Sequence, residues 1–317
     1  MTSSDTDTQI VHNFPPFFQV LQNGAVKRFF DDKLIPPTND TPNSHGVITR
    51  DVVVSAQPKV SARLFLPEIS DPTRKLPVLI YIHGGAFSIG SGFSEFYTSY
   101  VSSVVANSNV IGVSVDYRLA PENPLPACYD DSWEVFKWVA LHGSGQTGSG
   151  QTESGLGSDP WLTNHADFTR VFLEGDSAGA NIAHDIAIRV GSGQEGVGVK
   201  ISGMVLVHPY FGSDEVTPMM KVLYPGISRF DDPRYNPAAN PCLMGKIKCG
   251  KVLVCVAEKD GLKDRGVKYY EGLKKSDYEG EAEFVETRGE AHVFHLFNQT
   301  SEKAGELMKI IVSFLNK

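Results

Sequence analysis

The sequence predicts an α/β protein with a mostly parallel, doubly wound central sheet flanked by helices. Three observations carry that prediction. Near-continuous apolar, β-branched runs recur along the chain: "LPVLIYIHGG", "NVIGVSVDYR", "RVFLEGD", "ISGMVLVHPYF" and "KVLVCVAEKD". Such runs suit parallel strands covered on both faces. Helix-compatible stretches separate them. Finally, Gly175-Asp176-Ser177-Ala178-Gly179 falls where a strand run gives way to a helical one.

The elements follow in order. Residues 17–30 place apolar runs on either side of Asn23-Gly24, a strong hairpin signal. "GVITRDVVVSA" and "VSARLFLP" read as two strands, antiparallel because so short a connection allows nothing else. The parallel runs come next. Between them, residues 130–141 put Trp133, Phe136 and Val139 or Ala140 on one helical face. "AGANIAHDIAIRV", "DRGVKYYEGLKKS" and "SEKAGELMKIIVSFLN" are further helices. Residues 143–158 are low in complexity and contain Gly-Ser-Gly-Gln-Thr twice. Because strand patterns continue on both sides, they read as a flexible surface loop inside one domain spanning 1–317.

With 317 residues, 41% hydrophobic and 21% charged, the chain has an ordinary globular composition and needs no disulfide staples. Its four cysteines form no C-x-x-C pair and no zinc-ligand spacing, so they read as buried free thiols. The start of the chain lacks the basic residues and apolar run of a secretory signal. The apolar runs are too short to span a membrane. Net charge is −8 with no basic cluster, which argues against nucleic acid. The expectation is a cytoplasmic protein, a monomer or homodimer, that acts on a small molecule.

Ser177 sits in a Gly-x-Ser-x-Gly pattern after an apolar run and before a helix. That is the setting in which a sharp turn exposes a nucleophilic hydroxyl, with the next amide, on Ala178, aimed at developing negative charge. A serine needs a base. Asp260 follows "KVLVCVAEK", and His292 follows "AEFVET", so Ser177, Asp260 and His292 each come after a different strand. Carboxyl ends of strands are where open α/β sheets bind ligands. Competing residues fit less well. His295 reads as a packed or surface histidine, His184 lies two helical turns from Ser177, and His208 comes too early in the order. Asp264 belongs to a helix start and Asp231 is a remote substitute. "IYIHGGAF" places Gly84 and Gly85 directly after a strand, where free amides approach a substrate oxygen.

These residues together resemble the plant carboxylesterase family, in the hormone-sensitive-lipase-like branch of the α/β-hydrolase fold. The likeness runs from "FPPFFQVLQNGAVKRFF" through "YRLAPENPLPACYDDSWEVFKWV" and "HADFTRVFLEGDSAGANIAHDIAIR" to "GEAHVFHLF". It implies Ser177 as nucleophile, His292 as base, Asp260 as its orienting acid, and an oxyanion hole from Gly84, Gly85 and Ala178. It implies hydrolysis of carboxylic esters with no metal or organic cofactor. The family motif is His-Gly-Gly-Gly or His-Gly-Gly-Ala, and this chain has the second form. Gibberellin receptors resemble it without the histidine, isoflavanone dehydratases with threonine at the serine, and alkaloid cyclases with the histidine replaced. None of those changes is present. A dehydratase or cyclase using the same pocket is the alternative, and a hormone receptor the third reading. Two features depart from the family. The loop 143–158 is longer than usual, and only "VTPMMKVLYPGISRF" separates "HPYFGSDE" from "DDPRYNP". Residues 1–25 and about 213–235 are expected to form a small cap. Phe17, Phe87, Met219, Met220, Leu223 and Val293 are expected to contact substrate, with Phe14 and Phe18 near the entrance. Ordinary core packing competes as the role of each.

Overall fold

The computed structural model describes residues 9–71, 73–143, 158–193 and 198–317. The glycine-rich loop expected at 143–158 lies almost entirely outside the described residues. The strands are β1 (Ile10–Phe14), β2 (Phe18–Leu21), β3 (Val26–Arg28), β4 (Ile48–Ala56), β5 (Lys59–Leu66), β6 (Leu76–Ile82), β7 (Ile111–Asp116), β8 (Ala166–Asp176), β9 (Ile201–Val207), β10 (Cys249–Ala257) and β11 (Glu281–Thr287). β4 to β11 form one sheet in the order β11-β10-β9-β8-β6-β7-β5-β4. The pairs from β11 to β7 are parallel, whereas β5 runs antiparallel to both β4 and β7. This is the mostly parallel sheet flanked by helices that the sequence predicts.

The pleat explains the apolar runs. In β6, Val78, Ile80 and Ile82 pack into one core, while Leu79 and Tyr81 pack into a second core on the opposite face. β10 divides the same way, with Val252, Val254 and Val256 on one side and Leu253, Cys255 and Ala257 on the other. A strand buried on both faces has few positions for a polar residue, so its alternation disappears. The first core is closed by the helices Ala127–Gly143, Ala178–Gly191 and Lys263–Lys275, and the second by Glu95–Ser108 and Glu302–Asn316. Trp133, Phe136, Val139 and Ala140 are all buried. Of the thiols, Cys128, Cys249 and Cys255 are buried, but Cys242 is exposed, on a short surface helix.

The hairpin at Asn23-Gly24 forms between β2 and β3, with Gly24 at φ 84°. β1 adds a third antiparallel strand. Arg28 ties this small sheet to the body. Its guanidinium meets Glu122 through two contacts of 2.7 Å, and its Nε donates to the Ser88 carbonyl at 2.7 Å. The segment 213–235 is placed differently from expectation. Its helix Pro218–Leu223 turns Met220 and Leu223 into the first core, and the Leu125 amide donates to the Leu223 carbonyl at 2.9 Å. The segment lines no part of the cavity beside Ser177. Among the described residues, no helix is long and apolar enough to cross a membrane.

Two glycines let β8 turn into the helix Ala178–Gly191. A Cβ on Gly175 would lie 2.5 Å from the Gly179 carbonyl oxygen, and one on Gly179 would run into the Ile82 carbonyl. Gly179→Ala should therefore push the helix off the end of β6 and destabilise the protein by about 1–3 kcal/mol. Urea unfolding checks this, and an unchanged midpoint would mean the helix has room to spare.

Candidate active site

β8 runs mid-sheet between β6 and β9, and its last six residues are buried. The chain reverses at Ser177, which takes φ 52° and ψ −116°. An L-residue stays in such a conformation only when its surroundings enforce it. The Ser177 amide donates to the Val207 carbonyl at 2.9 Å, and its own carbonyl accepts from the Tyr210 amide at 2.9 Å. The following residue, Ala178, opens the helix, so its amide has no acceptor in a preceding turn.

Asp260 stands just past β10 and His292 past β11. The structure brings both to Ser177. His292 Nε2 lies 3.0 Å from Ser177 Oγ, and His292 Nδ1 lies 2.7 Å from Asp260 Oδ2. An ionised carboxylate only accepts, so Nδ1 carries the proton and Nε2 turns its lone pair to the hydroxyl. Asp260 Oδ1 accepts from the Leu262 amide at 2.8 Å. Burial pushes the Asp260 carboxyl up, but the hydrogen bond and charge of His292, with the Leu262 amide, outweigh it and leave the group below its ordinary value. The His292 loop is pinned from behind, where the Val293 amide donates to His208 Nδ1 at 2.8 Å. Both Val293 and His208 hold positive φ, 47° and 48°.

Ser177 and His292 open onto a cavity of about 400 Å³. Its walls are mainly apolar, including Phe17, Phe30, Phe96, Leu262, Val293 and Phe297, and among the described residues no lysine or arginine lines it. The turn after β6 borders it through Gly85 and Ala86. Both residues hold positive φ, 95° and 51°, and neither amide is taken up by a hydrogen bond among the described residues. Gly84 differs from expectation. Its amide is spent on Tyr97 Oη and Asp176 Oδ1, each at 3.0 Å, so the amides left free beside Ser177 are those of Gly85, Ala86 and Ala178.

A family model described as the alpha/beta hydrolase fold matches residues 79–296. The chain is 39% identical to "2-hydroxyisoflavanone dehydratase" of Glycyrrhiza echinata over 99% of this chain and 98% of that one. It is 38% identical to "Probable carboxylesterase 13" of Arabidopsis thaliana over 98% of each. The chain belongs to the plant carboxylesterase family. The fold is also that of EstE1, a thermostable carboxylesterase cloned from a metagenomic library, with a TM-score of 0.66, 24% identity and 90% of each chain covered.

For a plant carboxylesterase relative, the cavity wall is as informative as the serine. Of the residues expected to contact substrate, Phe17 and Val293 stand in it. Phe87 does not. It is 1% exposed and packs on the rings of Tyr129 and Tyr210. Met220 and Leu223 lie in the core and Met219 packs against it, so none of the three reaches the cavity. Phe18 is core as well, and Phe14 leans on it with ring centroids 5.5 Å apart. Leu262, two residues past Asp260, was legible by adjacency. Phe96 and Phe297 had no such signal.

Two competing histidines, His184 and His295, are buried away from Ser177. His184 Nδ1 meets Tyr269 Oη at 2.9 Å, and His295 is 2% exposed with its ring edge-on to Tyr100. Burial pushes both down to about 3, so they are neutral in the folded protein. Asp264 lies in the first turn of its helix and Asp231 pairs with Arg229. His208, Asp260 and His292 are the grouping with metal-ligand spacing among the described residues, but Asp260 Oδ2 and His292 Nδ1 already bind each other.

Because His295 has a folded value far below the unfolded 6.5, its contribution to stability is present above pH 6.5 and is lost as the pH falls toward 3. His295→Leu should escape that loss. Between pH 7 and pH 5 its stability relative to the unsubstituted protein should rise by about 2 kcal/mol. Urea unfolding at the two pH values measures this, and parallel pH dependence of the two proteins would contradict it.

Proposed function

We propose that this protein is a serine carboxylesterase that hydrolyses neutral, largely apolar carboxylic esters. The observation that carries the proposal is the hydrogen-bonded series Ser177–His292–Asp260, opening onto an apolar cavity that no lysine or arginine lines among the described residues. Ser177 Oγ attacks the ester carbonyl as His292 Nε2 takes its proton. Asp260 holds the imidazole in place and stabilises the imidazolium. The amides of Gly85, Ala86 and Ala178 receive the oxyanion, and loss of one such donor typically costs about 2.7–4 kcal/mol of transition-state stabilisation. His292 then protonates the departing alcohol. It next activates a water that attacks the acyl-enzyme, releasing the acid and restoring Ser177.

A cavity of about 400 Å³ suits a small or medium-sized substrate. With no arginine or lysine to pair with an anion, it favours esters that carry no carboxylate or phosphate. A plant specialised metabolite, handled in the cytoplasm by a single-domain enzyme, is the substrate class proposed. The plant relatives, one of them named for a 2-hydroxyisoflavanone, support that choice.

The 39% identity to a dehydratase favours one second reading, an elimination in which His292 acts as base and no acyl-enzyme forms. One variant separates the two. Ser177→Ala should lower kcat on short-chain p-nitrophenyl esters by at least about a thousandfold while leaving the melting temperature near that of the parent. A pure, folded Ser177→Ala protein that still hydrolyses these esters would sink the esterase proposal. If the same variant also keeps turnover of a plant metabolite, the elimination reading takes its place.

A further inference from the structure

We infer that Asp176 is a positioning residue for the oxyanion-binding turn: together with Tyr97 Oη, which it also binds, it accepts the Gly84 amide and so aims the Gly85 and Ala86 amides at the reacting carbonyl. The inference rests on the acyl-transfer reading of Ser177.

Asp176 immediately precedes the nucleophile and is 1% exposed. Three donors converge on it. Tyr81 Oη and the Gly84 amide donate to Oδ1 at 2.7 and 3.0 Å, and Tyr97 Oη donates to Oδ2 at 3.3 Å. The carboxylate sits hard against the turn, since a Cβ on Gly84 would collide with Asp176 Oδ2 and lie 2.8 Å from the Asp176 carbonyl oxygen. The opposite side of the same turn is also held. Tyr117 Oη meets the His83 and Gly84 carbonyls, each at 2.9 Å, and His83 stacks on Tyr117 with ring centroids 4.1 Å apart. The orientation of Gly84 is therefore fixed from both sides, and Gly85 and Ala86 continue directly from it.

A carboxylate is a costly group to bury when packing alone is needed. At this position it does what an apolar side chain cannot, which is to accept from a backbone amide and a tyrosine hydroxyl at one oxygen. Because Asp176 and Ser177 are consecutive, one rigid stretch of chain sets the nucleophile and, through Gly84, the donors opposite it. Preorganised donors gain their advantage from being fixed before charge develops. Burial pushes the Asp176 carboxyl up to about 6 against these hydrogen bonds. The acceptor role does not require the charge, since the carbonyl oxygen of an amide can fill it.

The test compares Asp176→Asn, Asp176→Ala and Asp176→Leu on a p-nitrophenyl ester, with Ser177→Ala in the same assay. Asparagine keeps an acceptor oxygen and should retain kcat within about fivefold. Alanine and leucine should lower kcat by about a hundredfold or more with KM changed less than about threefold. Their affinity for a trifluoromethyl ketone, which forms an oxyanion adduct with the serine, should fall in parallel. A residue that only packs would move stability without that pattern. Leucine fills the volume of the carboxylate, so it serves if the alanine variant does not fold. Two results overturn the inference, namely kcat within threefold of the parent in folded Asp176→Leu, or Asp176→Asn as impaired as Asp176→Leu. If Ser177→Ala remains active, the acyl-transfer reading itself fails. If Ser177→Ala is inactive while Asp176→Leu is not, only the role of Asp176 falls.

Discussion

At Ser177 the backbone is held at φ 52° and ψ −116° between a buried strand and a buried helix, and the geometry of the site follows from that turn. A residue so placed costs about 1–3 kcal/mol. The elements on either side supply the restraint through the Val207 and Tyr210 backbone bonds and through the contact of Gly179 with the end of β6. The same contact presses the helix Ala178–Gly191 against the chain just before the glycine turn. Nucleophile, helix amide and turn amides are thus neighbours because one tight reversal brings them together. His292 and Asp260 need only stand on the loops after β11 and β10 to complete the arrangement.

The surroundings of this turn are deeply buried. Burial pushes Glu174 up to about 7, and its Oε1 accepts from Tyr100 Oη at 2.7 Å. Asp176, two residues on, faces the opposite end of the same tyrosine group. Hydrogen bonds gain strength in so low a dielectric, and unpaired polar groups are correspondingly costly. The apolar cavity extends that setting to the reacting atoms, where donors aimed at an oxyanion are worth more than they would be in water.

Much of this was legible in the sequence, for identifiable reasons. β6 to β10 announced themselves because strands covered on both faces are mostly apolar at every position, rather than at every second one. Ser177, Asp260 and His292 could be picked out because each follows the end of a different strand, which restricts the choice far more than residue type does. The helix Glu95–Ser108 escaped notice because "EFYTSYVSSVVANS" is rich in β-branched residues and serine, which carry weak helix propensity. The cavity wall was harder still. Phe17 and Phe87, or Val293 and Leu223, are chemically alike, and only three-dimensional packing decides which faces a cavity and which a core. Gly84 shows the same limit at the level of one amide. "HGGA" marks a turn with spare donors, but the donor already consumed is known only once Asp176 and Tyr97 arrive from distant parts of the chain.

The central claim is that Ser177 becomes covalently acylated during turnover. Rapid acid quench of the protein with a p-nitrophenyl ester, followed by peptide mass spectrometry, tests it most directly. The account predicts the acyl group on the peptide that contains Ser177, appearing with the first burst of p-nitrophenol. Steady ester turnover with no acyl adduct on that peptide, or an adduct only elsewhere in the chain, would contradict it.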